Sequence, residues 1–317
     1  GPRGVRVNCI CPAGVETGNA DLDTLIKRYD DLQRLKPAGL TRAAEAKSFG
    51  GYYNWVNWGD LNWSAGSCSL HYDWTHIMLN NWLRTGQRDM FDWGYAMARH
   101  QHDIDMPRSA RDMPVYRYVS AYEKETSDKG PTGWHISTDK GSMIPNCSHH
   151  WIQGQCLYAA LTGDPEAWTS VRLNGIEAIR NRILPRLQRE EQARAFGWGM
   201  ECLLAAYAFT GDASCLEDAR KIFDGALWPM FATKYNKSGD MGGNVQTSYI
   251  VRPLIDYHWH SGDPRALEML KAMIDKSDEW SAKLEYMMFG DGAAYLYYRT
   301  GEERYLERLQ AWNGEVQ

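Results

Sequence analysis

The chain has 317 residues, 44% of them hydrophobic and 24% charged, with a mean hydropathy of -0.55, a pI near 6.0 and a formal net charge of -5 at pH 7. That balance excludes a disordered chain, and it supplies no general attraction to phosphate backbones, so nucleic acid is not an expected partner. Apolar stretches such as Met200–Phe209, broken by Glu201, fall short of the roughly 20 residues of a bilayer span, so no membrane partner is expected either.

The chain opens on Gly1 without a basic-then-apolar leader, so any secretion signal is expected to have been removed or never included. Gly4–Thr17, GVRVNCICPAGVET, resembles a late strand and loop of short-chain dehydrogenases. No GxxxGxG turn accompanies it and no Tyr has Lys four positions later, so the stretch is read as coincidence or a non-native junction. Leu22, Leu25, Tyr29 and Leu32 recur at helical steps within Asp21–Leu35 and predict a helix. The chain thus divides into residues 1–50, an N-terminal segment with a first helix, and residues 51–317, read as one larger domain.

Gly51–Trp74 is dense in Trp, Tyr and Asn and holds Trp55, Trp58, Asp60, Trp63, His71, Tyr72 and Asp73. Trp and Tyr, at 14 and 18 against 7 Phe, dominate the aromatics. Each offers a flat apolar face and a hydrogen-bonding edge, the combination that stacks on sugar rings. A sugar platform is therefore expected here, although such residues also fill helical cores. Seven cysteines without a CxxC pair signal neither a zinc module nor a disulfide framework.

From Arg84 onward one turn recurs: RTGQ, LTGD at Leu161, FTGD at Phe209, HSGD at His260 and RTGE at Arg299, with glycines at 86, 163, 211, 262 and 301. Each Gly suits a left-handed helix C-terminus, and the Asp that usually follows suits the next N-cap. Helices after the turns are amphipathic, with stripes Phe91/Tyr95/Ala98, Leu216/Ala219/Phe223, Leu267/Leu270/Ile274 and Leu306/Leu309/Trp312. Helices before them, such as Gly199–Phe209 and His149–Leu161, are apolar almost all round, as in a fully buried helix. Inner and outer helices alternating in this way predict an all-α fold, an α/α toroid of six hairpins or an incomplete ring. Two loops are expected over its mouth: Asp105–Asn146, with Pro107, Pro114, Pro131 and Pro145, and Lys234–Asn244.

Three constellations can carry chemistry. His100, His102, Asp103 and Asp105 in RHQHDID are read as metal-binding or as capping groups. Ser148–Trp151, SHHW, places His149 and His150 at a helix start, whose positive dipole end favours neutral, basic imidazole. Glu201 in the apolar run GMECLL and Arg252 after QTSYIV are charges that burial penalises unless a partner or ligand meets them.

NWGDLNW, HYDW, AMARHQHDID and SHHWIQGQCLYAALTGD resemble the central α/α toroid of the exo-rhamnogalacturonan lyase and YetA-like family, over about Gly51–Gly163, with a departure at Ser148. The resemblance implies an acidic plant or algal polysaccharide or oligosaccharide as substrate, β-elimination at a uronic acid, an extracellular or periplasmic setting, and a chain that is one part of a larger protein. Elimination casts His149 or His150 as base, Arg252 as carboxylate clamp and Tyr72 as proton donor, with Trp55, Trp58, Asp60, Trp63, His71, His100 and Trp151 binding sugar. Hydrolysis would instead pair Asp60 or Asp73 with Glu201, and a non-catalytic glycan-binding module would use the aromatics alone. No cofactor is expected, with a divalent cation such as calcium left open.

Overall fold

The computed structural model describes residues 61–63, 66–68, 73–102, 150–188, 192–242, 244–277 and 288–314. Apart from turns and one small hairpin, the described residues are helical, in line with the all-α expectation. In that hairpin β1 (Leu61–Trp63) runs antiparallel to β2 (Gly66–Cys68), with Asn62 opposite Ser67. The expectations for residues 1–50, and for the long loop between Asp105 and Asn146, lie outside the described residues.

The helices follow as α1 (Trp74–Thr85), α2 (Arg88–His100), α3 (Gln153–Thr162) and α4 (Pro165–Ser170), the last widening through a π-helical stretch (Val171–Glu177) into α5 (Ala178–Arg182). Then come α6 (Ala193–Thr210) and α7 (Ala213–Ile222), with π-helical turns at Phe223–Leu227 and Met230–Lys234, followed by α8 (Asn244–Ser261), α9 (Pro264–Lys276), α10 (Met288–Thr300) and α11 (Glu303–Gly314).

All five predicted turns form, and one set of bonds builds each. The glycines at 86, 163, 211, 262 and 301 sit at φ 69°, 71°, 74°, 69° and 69°, the left-handed geometry that ends a helix. Each glycine N–H donates to the carbonyl four residues back, at 2.7 to 2.9 Å. The hydroxyl before the glycine donates to a carbonyl of the last helical turn and accepts the N–H two residues on, as Thr210 does with Ala206 at 2.6 Å and Asp212 at 3.2 Å. Asp164, Asp212 and Asp263 then cap α4, α7 and α9 by accepting the N–H groups of Glu166, Ser214 and Arg265. Gln87 makes no such side-chain cap for α2.

The described residues fall into two compact units. One holds the residues up to 188 together with Trp198–Ala226. Within it α1 lies against α2 and α3, and α3 against α4. Its core includes Met78, Met90, Trp93 and Met97 between α1 and α2, and Leu79, Ala98, Tyr158, Ala159 and Ala167 across α1 to α4. The stripe of α2 differs from the expected Phe91/Tyr95/Ala98: Met90, Trp93, Gly94, Met97 and Ala98 are buried, and Tyr95 is 37% exposed. The reason is Gly94, where a Cβ would stand 2.7 Å from the Leu79 side chain, so α1 approaches along a line that apolar periodicity alone passes over. Arg180 and Lys221 both meet Asp218, at 2.6 and 2.7 Å, linking α5 to α7.

The other unit holds Gln192–Gly197 and the described residues from Leu227 onward. There α8 packs on α9 and α10, and α10 on α11. Ala266, Met269, Leu270, Met273 and Ile274 form the buried stripe of α9, which passes beside the expected Leu267. Between α9 and α11 run the ion pairs Arg304–Asp275 at 3.0 Å and Arg308–Asp275 at 3.6 Å. The described part of the expected Lys234–Asn244 loop is tied to its own unit, by Lys237 to Glu268 at 2.7 Å and by the Met241 N–H to the Thr247 hydroxyl at 2.9 Å. No helix among the described residues is long and apolar enough to cross a membrane.

Candidate functional site

In the first unit the starts of two helices are joined. Asp73 is the N-cap of α1, with a left-handed backbone at φ 55° and ψ 56°, and its Oδ1 accepts the His76 N–H at 3.1 Å. Its Oδ2 accepts the Gly154 N–H at 2.9 Å, in the first turn of α3. A helix start leaves N–H groups without intrahelical acceptors, and this one carboxylate serves two such starts.

The segment just before α3 is pinned at two further points. The Gln101 side-chain amide donates to the Trp151 carbonyl at 2.8 Å, and the Gln155 amide donates to Gln101 at 3.0 Å and to the Ala98 carbonyl at 2.7 Å. The Cys202 thiol of α6 donates to the His150 carbonyl at 3.6 Å. One turn before it, Trp198 meets Trp151 edge-on, ring centroids 5.6 Å apart and planes at 70°. His150, Trp151, Trp198 and Glu201 are all buried. The arrangement therefore brings two indoles together where the backbone before α3 meets α6.

Other sequence-predicted residues are placed elsewhere. His102 is buried against Tyr158, with Nε2 3.6 Å from Asp164 Oδ2. Burial raises the Asp164 carboxyl, but the Glu166 N–H, the Tyr158 hydroxyl and the charges of His102 and Arg99 outweigh it and hold the group below its ordinary range. His102 thus lies beside the carboxylate at the turn between α3 and α4, while Asp103 and Asp105 of RHQHDID lie outside the described residues. Among the described residues no group of three or more His, Cys, Asp or Glu could hold a metal ion. The Cys156 thiol is pushed up by burial first and by the charge of Asp73 second, which makes it an inert core group rather than a nucleophile.

In the other unit Arg252 stands 3.9 Å from Asp291, and the Arg194 guanidinium lies over the Tyr249 ring at 5.2 Å. Trp63 closes β1 and His100 closes α2, and their side chains lie outside the described residues. Trp55, Trp58, Asp60, His71, Tyr72 and His149 lie outside them entirely.

Gln101, Gln155 and Cys202 are the residues that sequence reasoning missed. Gln155 carried the same signal that singled out Glu201, a polar side chain inside an apolar helix. Gln101 was hidden between the two histidines of RHQHDID, which drew the attention. Comparison of the chain with family models, curated proteins and solved structures finds no match.

Proposed function

We propose that this chain is a polysaccharide lyase, cleaving a uronic-acid-containing glycan by β-elimination on an α/α toroid of which the described hairpins are segments. Support for the ring is local. In each unit neighbouring hairpins touch through their first helices, α1 with α3 and α8 with α10, while ion pairs tie second helices such as α9 and α11.

The observation that carries the chemical reading is the docking of the α3 start on α6, through Cys202 on the His150 carbonyl and Trp198 on Trp151. It brings His150 to the helix that bears Glu201. Elimination needs a base for the C5 proton of the uronate and an acid for the leaving oxygen. His150 is assigned the base, with His149 next to it in the chain as the alternative, and the acid is Tyr72 or Glu201. Arg252, the carboxylate clamp of this reading, stands 3.9 Å from Asp291. The His150 ring is 1% exposed, so contact with a polymer requires the surrounding arrangement to open.

Elimination is preferred to hydrolysis on one further observation. Of the carboxylates a hydrolase would pair with Glu201, each Asp73 oxygen already accepts a backbone N–H, which leaves Asp60, outside the described residues, for that role. The test is a panel of uronate-containing glycans assayed for new reducing ends and for ultraviolet absorbance of a C4=C5 double bond. Absorbing product, abolished in His150→Ala, is the expected result, and Tyr72→Phe against Glu201→Gln identifies the acid. Saturated product that survives His150→Ala and disappears in Glu201→Gln would establish a hydrolase. Binding without any product would leave a glycan-binding module.

A further inference from the structure

We infer that Asp73 is a positioning residue of this site: its carboxylate sets the register between the starts of α1 and α3 and so holds the His150–Trp151 segment in place. The inference rests on the reading of His150 as the base. Asp73 is 5% exposed and adopts a left-handed backbone, a costly conformation for a residue with a Cβ and one that persists only where the surroundings demand it. What they demand is visible in its two bonds, one to its own helix at His76 and one to Gly154, 81 residues away.

Gly154 is the matching half of the junction. A Cβ there would stand 2.5 Å from Asp73 Oδ1 and from the Thr75 Cβ, and 2.6 Å from the His76 nitrogen. The absence of a side chain is thus what lets α3 begin against α1. Residues 150–154 are consequently held from three helices, at the His150 carbonyl by Cys202 of α6, at the Trp151 carbonyl by Gln101 just beyond α2, and at the Gly154 N–H by Asp73 at the head of α1. The bond from Asp73 is the one made to a carboxylate, and such bonds are roughly twice as strong as neutral ones.

The experiment compares wild type with Asp73→Asn and Gly154→Ala. Asn tolerates the left-handed backbone and can still cap α1, but its amide opposes the Gly154 N–H. Gly154→Ala keeps the carboxyl and forces the two helix starts apart. A misplacement of about 1 Å costs about 100-fold in rate, so both variants should lose about that factor in kcat with little change in KM, and both limbs of the pH profile should stay where wild type has them. Amide exchange at 152–156 should accelerate in both while α8 is unaffected. If Asp73→Asn does not fold, Asp73→Ser, which caps α1 but is too short to reach Gly154, replaces it.

Loss of one limb of the pH profile in Asp73→Asn, with Gly154→Ala near wild type, would overturn the inference by making Asp73 itself a proton carrier. Unchanged exchange at 152–156 in Asp73→Asn would overturn it by removing the hold. A wild-type chain that yields no unsaturated product sinks the lyase reading alone, because the exchange measurement still decides whether Asp73 holds the start of α3.

Discussion

The two ends of the hairpins are built by different rules. At the turn ends the defining hydrogen bonds span two or four residues, as when Thr162 reaches the Tyr158 carbonyl and accepts from Asp164. At the junction where α3 begins they span 50, 52, 57 and 81 residues, from Gln101 to Trp151, Cys202 to His150, Gln155 to Ala98 and Asp73 to Gly154. A turn end can therefore form before anything else has folded, while the junction at the start of α3 is complete only once several helices have docked. The local ends keep the scaffold constant, and the non-local bonds set how the segment before α3 lies against α1, α6 and the end of α2.

The sharpest way to break this comparison is at Gln101. Gln101→Leu leaves the Trp151 carbonyl and one amide hydrogen of Gln155 without their present partners, in a region where both glutamines are buried. An unsatisfied buried group costs about 1–3 kcal/mol, so the variant should lose about 3 kcal/mol of unfolding free energy in urea denaturation. A loss within error of zero would mean that the non-local bonds add nothing to stability.

The turn ends make the opposite claim, that each stands alone. Around an imagined Cβ at Gly86, Gly163, Gly211, Gly262 and Gly301 no atom of a described residue beyond the chain neighbours lies within 4 Å, so replacement by Ala is penalised chiefly by the left-handed backbone. That penalty is about 1–2 kcal/mol, and it should be the same at all five positions. Should one of them cost far more in thermal melts, tertiary packing rather than local geometry governs that turn.

What could be read in the sequence follows the same division. The five turns and their glycines were legible because Thr or Ser, Gly and Asp act within a few residues of one another. The buried character of α6 was legible in part: Gly199 to Ala206 are buried, while Tyr207, Ala208 and Phe209 at the end of the same apolar run are half-buried. The stripe of α2 was not, because Gly94 contributes no hydrophobicity and yet marks the line of closest approach to Leu79. At the site, His150, Trp151 and Glu201 stood out by residue type. The pair of hydrogen bonds at Asp73 did not, since nothing near position 73 refers to Gly154, and a capping Asp and a catalytic Asp look alike in a sequence.

A smaller effect measures the hydroxyl within the turn. Thr210 donates to the Ala206 carbonyl and accepts from the Asp212 N–H, so Thr210→Val, which keeps the shape, should cost about 1 kcal/mol, and Thr210→Ser should restore most of it. Equal stability of the Val and Thr forms by chemical denaturation would assign the whole turn to its glycine.

His258 sharpens the comparison most finely, because it belongs to both kinds of end at once. Its backbone carbonyl accepts the N–H of Gly262, four residues on, and its Nδ1 lies 2.6 Å from the Tyr295 hydroxyl, 37 residues on. Burial, and then the charge of Arg299, hold the imidazole below its ordinary 6.5, against a smaller opposing pull from Asp263. Tyr295 is pushed up to about 12, chiefly by burial, so the phenol keeps its proton and shares a hydrogen bond with a neutral ring. Below pH 6.5 the unfolded chain binds a proton that the folded ring resists, so the unfolded state carries more protons and stability falls as pH drops through that range. Above it the contribution is complete. The depressed carboxyls of Asp164, Asp218 and Asp263 lose their contribution only lower, as pH falls through about 4 and below, starting from the unfolded aspartate value. Urea titrations between pH 7 and pH 5 should show a decline that His258→Asn removes and that none of the turn variants alters. If the decline persists in His258→Asn, the acid-sensitive group is not this ring, and the non-local half of His258 contributes nothing measurable to the pH dependence of folding.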